Sequence, residues 1–196
     1  MRRAFDVAGS LFGLALSSPV LLAAIVAVRV ESRGPVIYRQ RRVGLRGSSF
    51  EMLKLRTMVD GAEHVGAGLR IDAGDARITR VGALLRRTSF DELPNLVNVL
   101  RGEMSLIGPR PTIEAQVAQY TERQRRRLEV KPGITGWAQV NGRASLPWGE
   151  RIELDLHYIE HRSLALDLRI LARTLGSVFG GHGIYKGASG GWEGEL

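Results

Sequence analysis

From Val7 to Val28 the chain runs 22 residues without a charge, and Arg stands on both sides of the run. As a helix this segment would reach about 33 Å, enough for the hydrocarbon core of a bilayer. Water offers such a segment no stable exposed place, so the chain must either bury it or give it to lipid. A signal peptide is disfavoured, because the apolar run continues past Ser17-Ser18-Pro19 without a convincing cleavage site. Pro19 cannot donate to the carbonyl of Ala15, which predicts a break there, and Ser17 and Ser18 are placed to bond freed carbonyls. Arg2 and Arg3 precede the run; Arg29, Arg33, Arg39, Arg41 and Arg42 follow it. Positive flanks on both sides keep both ends on the cytoplasmic side. The expectation is a re-entrant helix over residues 1–30, broken at Ser18-Pro19, with a straight span and a buried core helix as alternatives.

Residues 31–196 read as one attached unit. Hydrophobic residues make up 44% of the 196 and charged residues 24%, which excludes general disorder. There is no cysteine, which removes disulfides, thiolate metal sites and cysteine nucleophiles from consideration. The net charge is +8, and of 28 basic residues only Lys54, Lys131 and Lys186 are lysines. Guanidinium groups match phosphate oxygens, so the partners are expected among phosphorylated substrates, anionic lipid or nucleic acid.

Val36-Ile37-Tyr38 and Phe50–Leu55 read as two strands around a Gly44–Ser49 turn, forming a small hairpin. Gly61–Ala76 reads as a loop; its Gly66-Ala67-Gly68 lacks the strand-to-helix context of a dinucleotide fingerprint. Helices are predicted at Thr79–Arg87, Asp91–Arg101 (ended by Gly102), Thr112–Glu129, Trp148–His161 and Leu164–Phe179. Lys131–Arg143, with Gly133, Gly136 and Gly142, reads as an ordered loop. The last helix carries Leu164, Leu168, Leu171, Leu175, Val178 and Phe179 on one stripe, suited to core packing or to a membrane interface. The fold class is α-rich α+β: a compact globular unit with a small β-hairpin and interfacial amphipathic helices.

The densest chemistry lies at Thr88–Gly102. Ser89 and Glu92 have capping-box spacing, and Asp91 could itself cap the helix. The same geometry suits a nucleophile. A carboxylate at a helix N-terminus is held ionised, and the free N–H groups accept the anion it takes up. The adjacent carboxylate could hold Mg²⁺, which takes one or two carboxylates plus substrate phosphates. Lys54 and Arg56 share a strand face, Arg110 is fixed between Pro109 and Pro111, and Arg143 closes the glycine loop. Together these resemble a phosphoryl-transfer site. His157 and Glu160-His161 have H-x-x-E-H spacing, but a third zinc ligand would have to come from Glu193 or Glu195.

The stretches Ser89–Pro94 (SFDELP), Gly102–Pro111 (GEMSLIGPRP) and Val130–Arg143 (VKPGITGWAQVNGR) closely resemble the bacterial sugar transferase family, the monotopic phosphoglycosyl transferases. The resemblance extends from the N-terminal segment almost to the last residue, and the length is similar to the minimal catalytic form. It implies transfer of a sugar 1-phosphate from a UDP-sugar to polyprenyl (undecaprenyl) phosphate. UMP is released, a covalent phosphosugar forms on the Asp of an Asp-Glu dyad, and Mg²⁺ is the cofactor. Here the dyad is Asp91-Glu92. Lys54, Arg56, Arg86, Arg110 and Arg143 match the family's active-site cations, Asp155 and Asp167 two further pocket carboxylates, and Ser18-Pro19 its helix break. Phe90 stands for the more usual Leu and Asn95 for the more usual Gln. The implied location is the cytoplasmic face of a bacterial inner membrane, in an early step of glycoconjugate synthesis, with membrane lipid as a partner and a homodimer allowed. A non-enzymatic membrane or nucleic-acid binder would explain the +8 charge and Arg125-Arg126-Arg127. It would not explain the acidic dyad, and few aromatics interleave with the basic residues, so nucleic acid is not expected.

Overall fold

The computed structural model describes residues 2–65, 74–142 and 145–180, with side chains to residue 176. Arg143, Gly66-Ala67-Gly68, the side chains of Val178 and Phe179, and Glu193 and Glu195 therefore lie outside the described residues. The described part is mainly helical with two small sheets.

Helix α1 runs from Arg2 to Glu31 as one element, with Pro19 inside it. The Ser18-Pro19 break expected from sequence falls inside this element. The Ser18 hydroxyl donates to the Ala15 carbonyl at 2.8 Å, the acceptor that Pro19 cannot serve, and Ser17 donates to Gly13 at 2.7 Å. The backbone stays satisfied across the proline, and the helix continues.

Both ends of α1 are tied to the same globular body. At the start, Asp6 accepts from the Ser105 hydroxyl and the Leu106 amide, each at 2.9 Å. Arg3 donates to the carbonyls of Val99 and Leu100, and Arg2 pairs with Asp167 at 3.1 Å. At the other end, Glu31 accepts from the amides of Arg80 and Val81, and Ala24 and Val28 pack with Leu55 and Leu85. Between these attachments Leu11, Phe12, Leu16, Leu22 and Val26 point outward and are more than half exposed.

The hairpin is as expected in place. Strand β1 (Ile37–Val43) pairs antiparallel with β2 (Ser49–Leu55) in the register Ile37↔Leu55 to Val43↔Ser49. It extends through Arg39–Arg42 because those side chains alternate between the exposed and the sheltered side. Helix α2 (Arg80–Thr88) starts on Thr79, whose hydroxyl accepts from the Gly82 amide, and stops at Ser89, which is left-handed with φ 58°. A 3₁₀ turn, Phe90–Glu92, then leads through Pro94 into α3 (Asn95–Arg101), which Gly102 ends at φ 84°.

A second sheet was not legible in sequence. Strand β3 (Ser105–Ile107) pairs parallel with β4 (Gly133–Thr135) inside the stretch read as an ordered loop. Each strand has three residues, too few for an alternation signal. Glycine makes the approach feasible: a Cβ on Gly133 would lie 2.1 Å from the amide nitrogen of Gly108. The polar helix expected over Thr112–Glu129 is three pieces: α4 (Glu114–Ala118), α5 (Glu122–Arg125) and a 3₁₀ turn at Arg126–Glu129. Thr121 and Gln124 form a reciprocal capping box that starts a new helix, and buried Tyr120 turns the chain inward.

After α6 (Trp137–Val140) come α7 (Trp148–Glu160) and α8 (Leu164–Gly180), close to their expected bounds. On α8, Ile170 and Asp167 face inward, while Leu164, Leu168 and Leu175 are 69%, 54% and 65% exposed. The stripe is therefore divided: Leu171 packs against the Ile107, Tyr158 and Ile170 cluster, and the other three leucines face outward.

Candidate active site

The dyad lies on the 3₁₀ turn between α2 and α3. The capping box expected from Ser89 and Glu92 does not form, because Ser89 has left-handed backbone and is used to end α2; no side chain caps this turn or α3. Asp91 and Glu92 are instead presented to a cavity of about 930 Å³.

The two carboxylates sit in opposite environments. Glu92 Oε1 accepts from Lys54 Nζ at 2.7 Å and Arg110 Nη2 at 2.8 Å. Burial alone would raise its pKa, but Arg110 and Lys54 outweigh it and hold the carboxyl far below the usual range. Asp91 accepts no hydrogen bond from the described residues. Burial raises its pKa from 3.8 to about 6, with Lys54 opposing and Glu92 adding to the rise. One carboxylate is thus clamped and held in its ionised form; its neighbour is unbonded and more basic.

Among the other expected residues, Lys54 projects from β2 to Glu92, and burial draws its pKa down. Arg56 lines the cavity; its Nη2 donates to Ser32, and its buried Nε and Nη1 have no partner among the described residues. Arg86 also lines it and donates to the Thr57 hydroxyl at 2.8 Å. Asp155 also lines the cavity, paired with Arg127 at 2.7 Å. Asp167 is not brought to the cavity: its carboxylate is held by Arg2 and the Tyr158 hydroxyl. Arg143 lies outside the described residues.

Sequence reasoning missed four lining residues: Arg42, Arg127, Gln139 and Arg151. Arg42 is drawn to about 10 by burial and by the neighbouring Arg110. Arg127 stood in a run that read as surface charge, yet it is buried on Asp155, and Arg126 pairs with Glu160. Gln139 sat inside a quoted motif, without a charge to draw attention.

Mg²⁺ fits what is present. Both Glu92 bonds fall on Oε1, leaving Oε2 and the Asp91 oxygens as hard donors beside each other. No group of three or more His, Asp or Glu suited to a metal occurs among the described residues, and the His157 and His161 rings stack at 4.2 Å instead. A cation at the dyad would take its remaining ligands from substrate phosphates and water.

The family model of bacterial sugar transferases matches residues 1–181. The "Uncharacterized sugar transferase EpsL" of Bacillus subtilis (strain 168) is 44% identical over 95% of this chain and 91% of its own length. The "UDP-glucose:undecaprenyl-phosphate glucose-1-phosphate transferase" of Caulobacter vibrioides is 45% identical over 90% of this chain and 69% of its own length. The "UDP-N-acetylgalactosamine-undecaprenyl-phosphate N-acetylgalactosaminephosphotransferase" of Aeromonas hydrophila is 40% identical over 93% of this chain and 44% of its own.

Proposed function

The chain belongs to the bacterial sugar transferase family, and we propose that it moves a sugar 1-phosphate from a UDP-sugar to undecaprenyl phosphate with release of UMP. The names of its relatives support the two substrate classes. The observation that carries the chemistry is the unequal dyad: a clamped Glu92 beside an unbonded, more basic Asp91.

Asp91 is the nucleophile. Its carboxylate oxygen attacks the phosphorus that bears the sugar, and the bond from that phosphorus to the oxygen of UMP breaks, with the electron pair leaving on UMP. A phosphate oxygen of the undecaprenyl phosphate then attacks the same phosphorus and releases Asp91 unchanged. No net proton moves in either step. The covalent intermediate lets a soluble donor and a lipid acceptor use one pocket in turn. Glu92 is too stabilised by Lys54 and Arg110 to attack; it fixes those cations instead. Arg110, Arg86 and Arg56 supply charge for the diphosphate and the departing UMP. Glu92 and Asp91 would hold Mg²⁺, which would supply Lewis-acid neutralisation of the phosphates. Glu92→Gln should lower activity on the order of 10²-fold and weaken the Mg²⁺ dependence. Titrating UMP release against Mg²⁺ in both proteins checks this; an unchanged Mg²⁺ curve in the variant refutes the metal role of Glu92.

The membrane arrangement we propose is monotopic, with α1 re-entrant in the cytoplasmic leaflet of the inner membrane. The ties at both ends of α1 support it. A span would put Asp6 and Glu31 on opposite sides of the bilayer, about 37 Å apart along a straight helix, with the one body bonded to both. The outward Leu164, Leu168 and Leu175 of α8 suit the same interface. The chain has no cysteine, so Ala4→Cys reports alone. In intact cells an impermeant thiol reagent should leave it unlabelled until the membrane is opened. Labelling from the periplasmic side refutes the arrangement.

A further inference from the structure

One part of the cavity wall, built from α6 and α7, concentrates buried polar atoms without partners. Trp148, Arg151 and Asp155 stand at i, i+3 and i+7 on α7, one helix face. Gln139 of α6 lines the same cavity. Gln139 Nε2 and Oε1, Arg151 Nε, Arg127 Nε and Asp155 Oδ1 are all buried and unpartnered among the described residues. Left so, each costs folding free energy, which marks the cluster as incomplete without a ligand.

We infer that this lobe holds the sugar ring of the donor, with Gln139, Arg151 and Asp155 choosing among sugars by their ring substituents. The inference rests on the transferase reading above. Three arguments select the sugar over the other parts of the substrates. The cluster mixes donors (two Arg Nε, the Gln139 amide N–H₂) with acceptors (Asp155 Oδ1, Gln139 Oε1). A hydroxyl group both gives and accepts, and satisfies such a set. A phosphate only accepts and would meet Asp155 as a like charge; a prenyl chain does neither. Uracil also gives and accepts, but it would be expected to stack, and the Trp148 ring is already overlaid by Arg127 at 5.4 Å and Arg151 at 5.0 Å. Position is the third argument. Arg110 reaches Glu92 with its side chain, while its carbonyl accepts from Arg127 at 3.3 Å. The lobe is therefore one residue removed from the dyad. The sugar is bonded directly to the phosphate that Asp91 attacks, whereas uracil is separated from it by a second phosphate and a ribose.

The test uses the full chain in lipid nanodiscs with undecaprenyl phosphate and four donors: UDP-glucose, UDP-galactose, UDP-N-acetylglucosamine and UDP-N-acetylgalactosamine. UMP release gives kcat/KM for each, and added UMP gives a product-inhibition constant. Gln139→Ala should raise KM for the best donor about tenfold. The isosteric Gln139→Glu, which exchanges a donor for an acceptor, and Arg151→Lys should reorder the ranking of donors. UMP inhibition should stay within about twofold of wild type in all three. A ranking preserved with all donors lowered by one factor means a structural role and overturns the assignment. UMP inhibition weakening in step with KM assigns the lobe to the nucleotide and also overturns it. Wild type that releases UMP from no donor and forms no adduct overturns the transferase reading, and the sugar lobe with it.

Discussion

Asp91→Asn is expected to abolish turnover, by roughly 10⁴-fold or more, while leaving the chain at least as stable as wild type. The two effects have separate causes. An amide has no anionic oxygen with which to attack phosphorus, so the covalent step is lost. The carboxylate it replaces accepts no hydrogen bond from the described residues, so no partner is orphaned. Burial raises the Asp91 pKa to about 6 from 3.8, so the folded chain binds this proton more tightly than the unfolded chain. Its contribution to stability is greatest below pH 3.8, falls as pH rises through that interval, and is fully unfavourable above about 6. At pH 8 the amide removes the burden of an ionised buried group, and the melting temperature should hold or rise. The same shift predicts that adduct formation in wild type declines as pH falls through about 6, since the nucleophile is then protonated. Intact-mass measurement after incubation with UDP-sugar alone should find one sugar phosphate on wild type and none on Asp91→Asn. An adduct that persists in the variant removes Asp91 as the nucleophile.

What the sequence made legible was whatever carries a local signal. The uncharged run of α1, the hairpin around Gly44–Ser49, and the starts and stops of α7 and α8 all follow from periodicity and turn residues. Asp91, Glu92 and Arg110 were legible as chemistry because charged groups stood among prolines that fix the backbone. Their mutual geometry was not. Ser89 has a residue type that caps helices, but its left-handed backbone is set by how α2 meets the turn, which no local rule reports. The β3–β4 pair depends on contact between glycines 25 residues apart, and three-residue strands leave no pattern. Asp167 read as a pocket carboxylate by resemblance; here it fastens α1 to α8 through Arg2. Arg127 failed for the opposite reason. In a run of three arginines it read as solvated charge, and only the fold reveals that Asp155 stands across from it.

That buried pair carries the second large expected effect. Arg127 and Asp155 have side chains 4% and 2% exposed and meet at 2.7 Å. Arg127 also donates to the Tyr120 hydroxyl and the Arg110 carbonyl, and lies 5.4 Å from the Tyr120 and Trp148 ring centres. Burial raises the Asp155 pKa, and Arg127 is the main influence opposing that rise. Arg127→Met should therefore leave a buried carboxylate uncompensated, at about 3–5 kcal/mol. For a chain of this size that is a fall of about 10 °C in melting temperature. The double variant Arg127→Met with Asp155→Leu removes both charges together, and should be more stable than Arg127→Met alone because no ion is stranded. Its activity should stay low, since Arg127 also braces the carbonyl of the residue that clamps Glu92. Thermal unfolding of wild type, Arg127→Met, Asp155→Leu and the double variant in one lipid preparation separates the cases. Losses in the double variant that equal the sum of the single ones would mean that the two charges do not act as a pair.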